Sequence, residues 1–249
     1  MRKRKWQLCL VAANHSVRSI AKAAKHLVSD LDFDDAGVFC VCGKGEAVPD
    51  LPYIAKHRVN RALTPAETWA EAIQIMSQTY APTSEMMLFT TPDYRFWKKL
   101  KLFCDYTVQP NEYGVYSLYT PQNYFFDEPH RQLPCESTQA GWCGFDFNAV
   151  ANNCEAMLMH RHSARLISAY LHDMMSKDLG LEGEWSWPDL FQTCIGGIYN
   201  IPCYAAMPSF AKRIRNDNSL FVGDYSQKGV DIRKNRYLAK PNAEFNRAS

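Results

Sequence analysis

In the stretch Met86-Met-Leu-Phe-Thr-Thr-Pro-Asp-Tyr-Arg-Phe-Trp97 an apolar run stops at Thr91-Pro92, presents one acid, Asp93, and passes into an aromatic, basic segment of helical character. Ligands of open α/β sheets bind at the carboxyl ends of the strands. An acid placed there can meet a metal ion or a ribose hydroxyl. The same aspartate could equally cap the helix that follows. Asp189, one residue past Trp187-Pro188, raises the same choice: a helix N-terminus favours a carboxylate there, and a general base needs one. Glu184 competes for the base role, and Asp146 either faces a pocket or ends the strand of Gly141-Trp-Cys-Gly-Phe145. His160-x-His162 offers either half a metal site or a polar helix start.

Three aromatic clusters stand beside these positions: Tyr94, Phe96 and Trp97; Tyr124, Phe125 and Phe126; Trp185 and Trp187. Sugars and bases stack on such rings, although each ring by itself serves packing. Several enzyme classes drop out by their missing motifs. The first strand is followed by Ala12-Ala-Asn-His-Ser16 instead of GxGxxG, and the chain carries no P-loop, GxSxG or HExxH.

The 249 residues are enough for one large α/β domain with an ample core. Nine cysteines, odd in number and scattered, fit a reducing, cytoplasmic setting, since Cys9, Cys40, Cys194 and Cys203 all lie in apolar runs. Cys40-x-Cys42 has the i, i+2 spacing of one strand face but no second pair to complete a zinc site. No apolar run approaches the roughly 20 residues of a membrane helix. The basic start before Trp6 is followed by too short an apolar stretch for a signal peptide. Net charge is only +2, yet Arg2 to Lys5, Lys212-Arg-Ile-Arg215 and the tail from Lys228 to Arg247 are basic. Such runs are solvated faces or a footprint for a polyanion.

The elements that must position these residues follow from periodicity. Trp6 to Ala13 reads as a buried strand, Ser16 to Ser29 as a helix with Ile20, Ala24, Leu27 and Val28 on one face, and Val38 to Cys42 as a second strand. A polar connection over 43–63 leads to Thr64-Pro-Ala-Glu67, a capping box with proline at the first helical position. The helix it opens buries Trp69, Ala72, Ile73, Met76 and Tyr80, and the strand at 86–91 comes next. This alternation predicts parallel pairing with helices on the sheet faces. Val115 to Tyr119 and Trp142 to Phe147 read as short strands on either side of a loop over 122–139. His162 to Lys177 and the segment opened by Pro188 read as helices, and Tyr204 to Met207 as the last strand. Beyond about residue 225 the chain reads as a loose tail.

In order and spacing these pieces resemble the GT-A class of nucleotide-sugar glycosyltransferases, particularly small bacterial and bacteriophage members. Four stretches carry the resemblance: Leu88-Phe-Thr-Thr-Pro-Asp93-Tyr followed by Phe96-Trp97, Val115-Tyr-Ser-Leu-Tyr-Thr-Pro121, Gly141-Trp142-Cys-Gly144-Phe, and Asp189 ahead of Met207-Pro208-Ser209-Phe210. It covers roughly residues 6–222 and implies an α/β fold: a single GT-A-like, Rossmann-like domain over 1–225 with a mostly parallel central sheet flanked by helices. A nucleotide-binding half would span about 6–110, an acceptor half about 111–225, and a basic tail 226–249.

The activity implied is sugar transfer from a nucleotide-sugar donor, UDP-linked first, to a hydroxyl on a glycan or on a hydroxylated base of bacteriophage DNA. The donor would lie near Ala12, Ala13, Asn14 and Arg18, with Asp93 on the ribose or on a metal–diphosphate. The acceptor would lie near Tyr119, Trp142 and Asp146, with Asp189 as base. Two departures bear on Mg²⁺ or Mn²⁺: proline stands for the first acid of the family's acidic pair, and Lys212-Arg213 for a histidine. Lys212, Arg213 or Arg215 could neutralise the diphosphate instead. A catalytically inactive fold that binds nucleotide-sugar or nucleic acid is the alternative, and a structural α/β protein in which Asp93 and Asp189 are only caps is a third reading. No membrane and no obligate protein partner is expected.

Overall fold

The structure, a computed structural model, describes residues 5–31, 33, 37–80, 85–108, 114–120, 141–144, 154–176, 186–198, 201–207, 209–217, 219 and 221. In chain order the elements are β1 (Trp6–Val11), α1 (Val17–Lys25), β2 (Val38–Cys42), β3 (Ile54–Arg58), α2 (Pro65–Ile75), β4 (Met86–Thr90), β5 (Tyr94–Phe96), α3 (Leu100–Thr107), β6 (Val115–Ser117), β7 (Gly141–Gly144), β8 (Ala156–His160), α4 (Arg161–Ser176), α5 (Trp187–Gly197), β9 (Cys203–Met207) and β10 (Ala211–Arg213). Asp146, Glu184, the Tyr124 cluster, Trp185 and the basic tail lie outside the described residues.

Among the described residues eight strands form one sheet in the order β3-β2-β1-β4-β8-β6-β9-β7, and β5 pairs with β10 in a separate ribbon. β1 pairs in parallel with β2 and with β4, as the strand–helix alternation predicts. β8 runs antiparallel between β4 and β6, and β7 runs antiparallel against β9. The remaining strands share one direction, so this is an α/β fold with a mostly parallel central sheet flanked by helices.

Side chains of successive strand residues fall on opposite faces, and each face has its own core. Leu8, Leu10, Met86, Leu88 and Leu158 pack on the α1 side, with a cluster of rings from Trp97, Phe103, Tyr116, Trp142 and Phe210. Cys9, Val11, Met87, Phe89, Met157 and Met159 pack on the other side against α2, α4 and α5. There Trp69 of α2 stacks on Trp187 of α5, 4.9 Å between centroids. Each such buried aromatic contributes about 1.5–3 kcal/mol of transfer free energy.

Local signals place several elements where they were expected. Thr64 Oγ1 accepts from Glu67 N–H, and Glu67 returns a carboxylate to Thr64 N–H, so the capping box is complete. Ser16 caps α1 by accepting from Ser19 N–H. Both α1 and α2 run on into a wider π-type turn, His26–Asp30 and Met76–Tyr80. Three expectations change. The polar connection contains β3, whose five residues bury only Ile54 and so carry almost no apolar signal. Tyr94–Phe96 is extended instead of helical, because it pairs with β10. Ala156–His160 is a strand that the sequence reading passed over, and it joins the two halves of the sheet.

Candidate functional site

β1, β2 and β3 lead to one side of β1 and the chain then returns to its other side as β4, so the β1/β4 boundary is a topological switch point. Ligand crevices of such sheets open there, outside the carboxyl ends of the strands. Two loops meet at that crevice. The loop after β1 turns at Asn14 in the left-handed region (φ 60°), a conformation asparagine tolerates. Glu46 clamps this turn to the end of β2, its carboxylate accepting from Asn14 N–H (2.9 Å) and Gly43 N–H (2.6 Å). The loop after β4 delivers Asp93. His15 Nε2 and Asp93 Oδ2 then meet at 2.9 Å although 78 residues separate them.

Each partner shifts the other. Burial lowers the affinity of His15 for a proton, but the Asp93 hydrogen bond and charge, the Ala13 carbonyl and the Glu155 charge together hold its pKa above the ordinary value. The His15 hydrogen bond, outweighing partial burial and helped by the charges of His15, Arg213 and Arg215, holds the Asp93 carboxyl below its ordinary value. At neutral pH Asp93 is an anion whose hydrogen-bond donor is already in place, on a side chain still largely open to solvent.

The cationic side of the corner comes from the β5–β10 ribbon, where Arg213 is the register partner of Tyr94. Arg213 Nε donates to Tyr94 Oη at 2.9 Å and Nη2 donates to Glu155 Oε2 at 3.4 Å. Tyr94 Oη in turn donates to Glu155 Oε2 at 3.1 Å. The guanidinium lies 5.0 Å from the Tyr119 ring centre and 5.7 Å from that of Tyr94. Ile214 N–H donates to the Asp93 carbonyl at 2.8 Å, which ties the two segments together. Glu155 opens β8 at the same sheet edge, and its carbonyl accepts from Thr91 N–H.

The two stretches Tyr116 to Thr120 and Ser209-Phe210 also come together. Buried Ser209 Oγ accepts from Thr120 N–H at 3.1 Å, and Phe210 N–H donates to the Leu118 carbonyl at 2.8 Å. That junction carries β10 to the corner.

The expected site residues divide. Asp93, Asn14 and Arg213 lie at the corner, Arg215 is exposed two residues past Arg213 with its charge acting on Asp93, and Arg18 is exposed in the first turn of α1 beside it. Ala12 is buried and offers only its backbone, its carbonyl accepting from His15 N–H. Lys212 lies on the alternate face of its strand, its Nζ 5.0 Å over the Phe221 ring. Trp142 does not present a ring to an acceptor: it is fully buried, packed edge-on against Tyr116 and Phe210. Tyr119 is likewise buried, serving as the floor under Arg213. Asp189 sits in the first turn of α5, where its N–H and Oδ2 both bond Ser186 Oγ at 3.3 and 2.5 Å. Its charge nonetheless acts on Cys154, beside Glu155, and Trp187 Nε1 donates to the Cys154 carbonyl, so this helix end faces the same edge.

His160 is at the opposite edge, its register partner being Met86 at the start of β4, and its Nδ1 accepts from His162 N–H. Cys40 and Cys42 are both buried. His15, Glu46 and Glu155 are the residues missed by sequence reasoning. A histidine in the loop right after the first strand was the one available signal.

For a divalent cation on Asp93, which the family resemblance implies, the described residues offer one free carboxylate oxygen beside two guanidinium charges. Among the described residues no three His, Cys, Asp or Glu side chains converge. Asp93 Oδ2 is held by His15, and two guanidinium charges act on the same carboxylate. Among the described residues no helix is long and apolar enough to cross a membrane.

No protein family and no curated protein matches this chain. Among solved structures it is similar to the apo-form glycosyltransferase GlyE of Streptococcus pneumoniae TIGR4, with a TM-score of 0.39 and 9% identity over 78% of this chain. It spans 43% of the GlyE chain, under half its length.

Proposed function

We propose that this protein is a glycosyltransferase that moves a sugar from a nucleotide-sugar donor to a hydroxyl acceptor. The observation that carries the reading is the His15–Asp93 pair, which assembles an oriented carboxylate at the switch-point crevice from two loops 78 residues apart. A carboxylate there suits a ribose hydroxyl, and the guanidinium groups beside it suit phosphate.

In this reading the nucleotide lies over the ends of β1 and β4, near Asn14 and Arg18, with Asp93 accepting from the ribose. The acceptor hydroxyl, on a glycan or a hydroxylated base, approaches from the α5 side. Asp189 takes its proton as the new bond to the sugar forms and the bond to phosphate breaks, the electron pair leaving with the nucleoside diphosphate. UDP-sugars are the first donors to try.

The test is a thermal-shift screen with UDP, GDP, CMP and their sugars. A ligand held at about 100 times its Kd contributes about 2.7 kcal/mol, which raises the melting point by roughly 5–10 °C for a chain of this size. We expect one nucleotide class to do so. No shift with any of them sinks the reading.

A second reading is a fold of this kind that binds the nucleotide-sugar without turning it over. It is favoured by one observation: Asp93 and Asp189 both already hold a protein partner, His15 and Ser186. Binding without transfer or hydrolysis distinguishes it.

A further inference from the structure

We propose that the corner holds the diphosphate of its substrate with fixed guanidinium groups, Arg213 first and Arg215 second, and needs no divalent cation to do so. This rests on the nucleotide-sugar reading and names the chemistry by which that site binds its donor.

Arg213 is built for the task. Its main chain is fixed by pairing with β5, and its N–H donates to Asp217 Oδ1 at 3.2 Å across a turn that passes through Asn216 in the left-handed region (φ 52°). Its plane is fixed by the Tyr119 and Tyr94 rings, and by hydrogen bonds through Nε to Tyr94 and through Nη2 to Glu155. None of these bonds uses Nη1, and about a third of the side chain stays open to solvent. A planar, pre-oriented fork of this kind matches phosphate oxygens, and little side-chain entropy remains to be lost when it binds.

Asp93 argues in the same direction. A dication on this carboxylate would be left with Oδ1, since His15 holds Oδ2, and would sit against the charges of Arg213 and Arg215. The arrangement instead pairs one carboxylate oxygen with His15 and sets two guanidinium charges against the same carboxylate. Lys212 belongs to the other face of β10, over Phe221, so the diphosphate is read by the two arginines and not by the whole basic run.

The experiment is calorimetric titration of the full chain with inorganic pyrophosphate, in EDTA and again in Mg²⁺. We expect binding in EDTA, a loss of about tenfold or more in Arg213→Ala, and a smaller loss of about threefold in Arg215→Ala. Lys212→Ala should bind as the parent does. Asp93→Asn should bind at least as tightly, since it removes an anion and no ligand contact. Circular dichroism checks the fold of each variant. Should Arg213→Ala fail to fold, Arg213→Lys, which keeps the charge and loses the fork, takes its place, and retention of parental affinity in it overturns the assignment. Binding that requires Mg²⁺ and disappears in Asp93→Asn also overturns it, while leaving the glycosyltransferase reading standing. No pyrophosphate binding in either buffer overturns it too. The glycosyltransferase reading falls with it only if nucleotides and their sugars also leave the melting point unmoved.

Discussion

Two Pro-Asp dipeptides sit at the same edge of the sheet, and their aspartates have different partners. Pro188-Asp189 opens α5, and the carboxylate bonds Ser186, three residues back. Pro92-Asp93 ends the β4 loop, and the carboxylate bonds His15, 78 residues back. The first arrangement is what any helix start with these residues would form, because Ser and Asp compete for the same free N–H groups. The second exists only because β1 and β4 lie side by side and in register. A local partner stabilises an element, whereas a distant partner at a switch point makes a site.

The largest effect that can sharpen this contrast is Asp93→Asn. By removing the charge-assisted bond to the ribose it should lower kcat/KM by about a hundredfold with the fold intact, checked by melting temperature. Unchanged kcat/KM would remove Asp93 from the donor site.

An effect of similar size separates the two roles open to Asp189. Asp189→Asn should lower kcat by about a hundredfold or more. Ser186→Ala, which leaves the carboxylate and removes the cap, should cost about 1 kcal/mol of stability and leave kcat within a few-fold. If both variants change only stability, Asp189 is a cap and the base lies elsewhere at this edge.

The smallest effect is in proton binding. His15, raised by Asp93, contributes stability that is complete below its unfolded value of about 6.5 and is lost as pH rises through the folded value. Asp93, lowered by His15, contributes stability that is complete above its unfolded value of about 3.9 and is lost as pH falls through the folded value. His26 behaves oppositely to His15. Burial lowers it despite Asp30, and its Nε2 must stay unprotonated to accept from Phe96 N–H at 2.9 Å. Its contribution is complete above about 6.5 and is lost as pH falls toward the folded value. Proton NMR should give His15 a midpoint above 6.5 and His26 one below it. Asp93→Asn should lower the first and leave the second in place.

Legibility in the sequence follows the range of the forces. The α2 start was legible because Thr64, Pro65 and Glu67 act on each other within one turn. The β1–α1–β2 unit and β4 were legible because their burial is written as apolar runs and a helical stripe. β3 was not, since an edge strand burying one residue looks like a polar loop. β8 was not, since a strand buried on both faces is a short apolar run that no period distinguishes from a helix. Tyr94–Phe96 was misread because three residues become a strand only when β10 arrives from far along the chain, Ala211 pairing with Phe96 and Arg213 with Tyr94. Trp142 shows the same limit for a single residue: an aromatic beside glycines reads as a binding platform until the rings of Tyr116 and Phe210 close over it.

By itself, then, the sequence determined the parallel α/β frame and the acid at the end of β4, because periodicity, capping and turn chemistry act over a few residues. Tertiary structure alone decided that His15 would be the partner of Asp93, that Glu155 and Tyr94 would hold Arg213, and that Lys212 would face away. Those contacts depend on strand order and register, which bring residues from distant parts of the chain to one edge. No short-range preference encodes that convergence.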